Sequence, residues 1–136
     1  MNNKLNLKQS LTAGLLAAVA SSTINVVLFF LFKALGVITE DIFVEPGKPL
    51  TVLPVIISSI IPTLLAVLVF FLFEKFTNNG FRIFSIVTVI LTLLSLAGPS
   101  FIPGVTTGYQ IALDIMHLVV PSLLLFFISR ARKAVN

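Results

Sequence analysis

With 136 residues the chain is long enough for one domain, but it is 57% apolar and only 10% charged, against about a quarter charged in ordinary globular proteins. So few polar groups cannot cover a soluble fold, and lipid as solvent accounts for the balance. The net charge of +4 comes from basic residues scattered at segment ends, not from a stripe that would hold nucleic acid; the lack of cysteine and the single histidine exclude disulfides, thiol chemistry and a His-cluster metal site.

Four apolar stretches each supply the roughly 20 helical residues that cross a hydrocarbon core of about 30 Å. The first covers residues 11–33. Its approach, MNNKLNLKQSLTAGLLAAVASS, mimics a secretory signal peptide, with two lysines and a cleavage-like Ala18-Val19-Ala20. The apolar run then continues through TINVVLFFLF to spanning length, so an uncleaved first span is expected. Along it Ala13, Ala17, Ser21 and Asn25 recur every four residues, beside Gly14, Ala18 and Ser22. Small residues at this spacing let helix backbones approach closely in lipid. Residues 34–50 form the longest connection, an outer loop with an alternating apolar centre and a Pro46-Gly47 turn. It folds over the bundle mouth as a hairpin or cap, or runs as a plain solvated loop.

The second span covers residues 51–75, with Pro54 in its first turn, where a missing N–H costs little. Ser58, Pro62 and Ala66 share one face, flanked by Ser59 and Thr63. Thr77 to Gly80, TNNG, makes a tight turn into the third span, residues 82–98. There Ser85, Thr88, Thr92 and Ser95 form a heptad-like seam, and Gly98-Pro99 stops the helix. The fourth span covers residues 108–129, and Thr107 and Gln110 have the spacing of a capping box at its start. Asp114, His117 and Pro121 share a face of it.

Connections this short predict antiparallel neighbours, hence an all-α, up-down four-transmembrane-helix bundle forming a single integral membrane domain, residues 1–136. Lys4, Lys8, Lys75, Arg82, Arg130, Arg132 and Lys133 lie on one side. The other side has Lys33 and Lys48 beside Glu40, Asp41 and Glu45. The lysine and arginine bias therefore predicts both termini in the cytoplasm.

At 1.5 Å per residue, Asp114 and His117 lie about 10 and 15 Å below Thr107, Asn25 about 12 Å below Lys33, and Ser58 and Ser59 about 11 Å below Thr51. Thr92 is about 9 Å from Gly98. All four spans thus place polar groups at one level of the outer half, while the inner half reads as almost wholly apolar. An aspartate near the bilayer centre costs about 2.5–3.5 kcal/mol on insertion scales, so Asp114 is expected to face the bundle or a wet cavity. Its three-residue spacing from His117 brings the two within interaction range. Pro62 and Pro121 each deprive a carbonyl one turn earlier of its donor, Ser58 and His117 respectively, which suggests a pocket or a kink.

SLAGP, Ser95 to Pro99, followed by TTGYQIALDIMHLVV, Thr106 to Val120, resembles a family of small, four-span bacterial integral membrane proteins filed as a domain of unknown function. The likeness extends to Asn25, the outer loop and TVLPVIISSIIPTLLA of the second span, covering nearly all the chain. The resemblance implies family roles for Asn25, Pro62, Gly98, Pro99, Met116 and His117. The family's ALxxMHL pattern needs no acid at Asp114, so a mechanism built on an Asp–His pair does not follow from it. The resemblance implies a fold, the bacterial cytoplasmic membrane and no activity.

The candidate site is therefore the polar layer of Asn25, Ser58, Ser59, Thr92, Ser95, Asp114 and His117. Its leading reading is a non-enzymatic binding or accessory protein holding a small molecule, a lipid or a partner membrane helix in an outward-facing pocket. The runner-up is a proton- or ion-coupled transporter or channel, since intramembrane Asp and His are typical of proton relays. An enzyme would use His117 as base with Ser58, Ser59 or Ser95 as nucleophile, but no G-x-S-x-G elbow or HExxH is present. A fourth reading makes the polar groups interhelical hydrogen bonders only. No cofactor and no nucleic-acid partner is expected; membrane lipid is, and homo-oligomerisation is compatible with every reading.

Overall fold

A computed structural model describes residues 4–135. Four helices dominate it: α1 (Leu7–Ala34), α2 (Val52–Phe76), α3 (Gly80–Ser95) and α4 (Thr107–Val135). An antiparallel hairpin of β1 (Phe43–Glu45) and β2 (Lys48–Pro49) follows α1, and a 3-10 turn (Gly98–Phe101) follows α3. With 28, 25 and 29 residues, α1, α2 and α4 reach roughly 37–44 Å and outrun a hydrocarbon core of about 30 Å. α3 has 16 residues and covers only about 24 Å. The 3-10 turn extends it to a 22-residue segment, so four segments are long and apolar enough to cross a membrane.

The helices pack as a four-helix bundle. α1 lies tightly against α2 and α4, while α3 sits across from it, leaning on α2 and more lightly on α4. The small-residue stripe makes the close approach: Ala13, Gly14, Ala17, Ala18, Ser21 and Asn25 are all buried. A Cβ on Gly14 would run into the Val67 side chain of α2, so only glycine permits this crossing.

Local capping sets the helix starts. α1 begins earlier than residue 11 because Asn6 and Gln9 close a capping box, with side-chain bonds of 2.9 and 3.0 Å. The box expected at Thr107 and Gln110 is not formed. Thr107 is already helical, and the hydroxyl of Thr106 takes the Tyr109 N–H at 3.2 Å. Gln110 instead donates to Ser100 at 2.9 Å and ties α4 to the 3-10 turn. α3 stops at Ser95, three residues short of the expected end.

The outer connection adopts the hairpin, not the plain loop. Gly47 has φ +71°, the conformation required after Pro46 at the third position of a type II turn, between paired Glu45 and Lys48. Ile38 and Ile42 are buried against Phe29, Tyr109, Ala112 and Met116, which seats the connection on the bundle. On its surface Lys33 meets Glu40 at 2.9 Å, and this bond and charge hold the exposed Glu40 carboxyl below its usual pKa.

Two apolar clusters stabilise the bundle. One, near the hairpin, joins Phe29, Val55, Tyr109 and Met116. The other, near the termini, joins Ala17, Val67, Phe70, Phe84, Leu124 and Ile128. The buried polar residues Ser21, Asn25, Ser59 and Thr63 fall along the helices between the two.

The terminal half, read as almost wholly apolar, also holds one buried ion pair. Glu74 is only 2% exposed, and its Oε1 lies 3.2 Å from Nε of Arg132 on α4. The Arg132 guanidinium also covers the Phe81 ring at 5.0 Å. α4 runs to Val135, past the expected end at 129, and so carries Arg132 into this pair.

Candidate functional site

A cleft of about 790 Å³ opens between α2, α3 and α4. Its origin is the loose seating of α3, whose buried residues, Gly80 and Phe84, both lie in the half nearest α2's end. Beyond Phe84 the helix stands off, and Thr88, Leu91, Thr92 and Ser95 form one wall. Val55, Ser58, Pro62 and Ala66 of α2 form the second, and Leu113, Met116, His117, Val120 and Pro121 of α4 the third. Asn25 reaches it from α1, while Val44, Glu45 and Ile102 stand at the hairpin end. Pro62 and Pro121 lie within helices that continue through them, both on the cleft.

Asn25 is the structural centre of the site. It is 3% exposed, and its Nδ2 donates to Ser59 Oγ at 3.0 Å and to the Met116 carbonyl at 3.1 Å. One side chain of α1 therefore ties α2 to α4. The amide orientation follows from its neighbours. The Met116 carbonyl can only accept, and the Ser59 hydroxyl spends its proton on the Val55 carbonyl at 2.8 Å. The nitrogen must face both, which leaves Asn25 Oδ1 buried and without a partner.

His117 lines the cleft, and its Nδ1 lies 2.8 Å from the Leu113 carbonyl one turn earlier. A carbonyl accepts, so Nδ1 carries a proton, and Nε2 is an acceptor whenever the ring is uncharged. The expected proximity of Asp114 does not become a bond. Among the described residues no ion pair or hydrogen bond joins it to His117, because the histidine turns back to its own helix. Asp114 is half-buried outside the cleft lining, with Oδ1 unpartnered.

The structure thus brings Asn25, Ser58, Thr92, Ser95 and His117 to one cleft, and places Ser59 behind it as the acceptor for Asn25. Asp114 stands apart. Sequence reasoning missed the Met116 carbonyl as an anchor for Asn25, since a backbone acceptor has no residue signature. It also passed over Glu74 and Arg132, two charges near helix ends that read as ordinary flanks. Among the described residues no group of three or more His, Cys, Asp or Glu side chains is placed to hold a metal ion.

A family of unknown function, DUF6069, matches residues 6–134. The chain belongs to that family. The match takes in all four helices, the hairpin and the whole cleft, so DUF6069 describes the entire membrane bundle. No curated protein and no solved structure matches.

Proposed function

We propose that this DUF6069 member is a non-enzymatic binding or accessory protein of the bacterial cytoplasmic membrane, holding an amphiphilic small molecule or lipid in the cleft. The observation that carries the reading is a cleft of ligand size lined by Asn25, a residue whose Oδ1 is buried without a partner. Pockets of roughly 300–1,000 Å³ with mostly apolar walls and a few convergent polar groups are the usual form of small-molecule sites. Here most of the polar groups lie toward the hairpin end, and the walls beyond them, Ala66, Val69, Phe84 and Leu124, are apolar. A ligand with a polar head and an apolar body fits that division.

A proton or ion conduit within one chain is less well supported. Val67, Phe70, Phe84 and Leu124 form an apolar plug between the polar layer and the Glu74–Arg132 pair. Orientation is part of the proposal. The end with the termini carries Lys4, Lys8, Lys75, Arg82 and the basic tail, which supports a cytoplasmic placement and an outward-facing cleft mouth.

Native mass spectrometry of the purified chain tests the binding reading. Wild type is expected to keep a non-covalent amphiphile, and Val87→Trp, which fills the cleft from its α3 wall, is expected to lose it. A bare wild-type mass, or equal retention by the variant, would overturn the proposal.

A further inference from the structure

Thr88 apart, the polar side chains of the cleft have one hydrogen-bonding character. Ser58 donates to the Val55 carbonyl at 3.2 Å, Thr92 to the Thr88 carbonyl at 2.7 Å, and Ser95 to the Thr92 carbonyl at 2.7 Å. Thr63 donates to the Ser59 carbonyl at 2.6 Å. A hydroxyl this close to a carbonyl must give it the proton, so each retains only lone pairs for a ligand. Both Asn25 amide protons are taken, and Oδ1 is the free end. His117 has its Nδ1 on the Leu113 carbonyl, so its uncharged ring has Nε2 left as an acceptor. Of the hydroxyl and amide protons on the cleft, that of Thr88 alone is uncommitted among the described residues. Pro62 and Pro121 add to the excess, because neither can donate to the carbonyl one turn before it, Ser58 or His117.

Charge points in the same direction. No lysine or arginine lines the cleft, and its one acidic residue, Glu45, stands at the hairpin end, paired with Lys48 at 3.4 Å. A carboxylate, phosphate or sulfonate head would find neither a counter-charge nor enough donors, and its desolvation would go unpaid. A primary ammonium brings three donors and a positive charge to a ring of acceptors.

We infer that the cleft selects a hydrogen-bond-donating head group, a primary amine on an apolar body, and discriminates against anionic heads. This inference rests on the cleft being a binding site and names the chemistry of its occupant.

His117 is the only histidine in the chain, so its ring nitrogens give one unambiguous NMR reporter inside the site. The test uses the full chain with 15N-labelled histidine in phosphatidylcholine nanodiscs, titrated with dodecylamine, dodecanol, dodecyltrimethylammonium or dodecanoate. Dodecylamine is expected to give a saturable Nε2 shift, dodecanol a weaker one, and the other two none. The quaternary ammonium separates charge from donation, since it carries the first without the second. A shift in nanodiscs containing phosphatidylethanolamine, without added amine, would identify a lipid as the amine's source. Asn25→Leu is expected to weaken amine binding about tenfold, as one lost charge-assisted hydrogen bond does. If that variant does not fold, Ser58→Ala combined with Thr92→Val, both on the cleft walls, is expected to give the same direction. Saturation by dodecanoate or dodecyltrimethylammonium without the amine overturns the donor inference and leaves the binding site standing. Equal saturation by dodecanol overturns the amine. Saturation by none of them overturns both.

Discussion

Glu74 and Arg132 show how one contact changes the meaning of a residue. A carboxylate 2% exposed would be costly alone, and the guanidinium at 3.2 Å is what makes it tolerable. The geometry is an ion pair without an aligned hydrogen bond, since neither Glu74 Oε1 nor Arg132 Nε has a hydrogen-bond partner. Removing one member leaves the other uncompensated. Arg132→Ala is expected to destabilise the bundle near the lower end of the usual range of about 3–5 kcal/mol, because the arginine side chain is a quarter exposed. Replacing both, Glu74→Gln with Arg132→Met, is expected to recover most of that loss. Thermal denaturation in detergent measures the two; equal loss in single and double variants would show that the pair is not coupled.

At the scale of the element, α1 is the organising helix. Its stripe of small residues lets α2 and α4 close on it, and Asn25 then fastens them through Ser59 and Met116. Gly14 is the tightest point, where any side chain meets Val67. Gly14→Val is expected to push α1 from α2 and cost about 1–3 kcal/mol, as overpacking does. Truncating the neighbour in Gly14→Ala with Val67→Ala is expected to restore part of the loss. A Gly14→Val chain with unchanged melting temperature would contradict the packing described. α3 is the opposite case. Its buried residues are confined to the end near the α2–α3 turn, and the resulting splay is what opens the cleft.

For the whole molecule, the four segments form one bundle with a polar layer between two apolar clusters and charged residues at both ends. The absence of cysteine makes its orientation simple to measure. Lys48→Cys on the hairpin is expected to react with a membrane-impermeant maleimide added to intact cells, and Lys133→Cys only after permeabilisation. The reverse pattern would overturn the proposed orientation and turn the cleft mouth toward the cytoplasm.

Long apolar runs broken by Gly98-Pro99 and TNNG were enough to show four helices, because in lipid the backbone must satisfy itself within each span. The spacing of Ala13, Ala17, Ser21 and Asn25 likewise showed the packing face of α1, since a helix places every fourth residue on one side. The helical rise per residue also put Asn25, Ser58, Thr92 and His117 at similar expected depths. Periodicity and depth do not say which helices touch or how closely. Only the tertiary structure decided that α3 stands away to leave a cleft, that Asn25 spends its amide on Ser59 and Met116, and that His117 turns to Leu113 instead of Asp114. Glu74 finding Arg132 belongs with these. Each depends on the distance and azimuth between helices, which side-chain volumes on several segments set together and no single segment encodes.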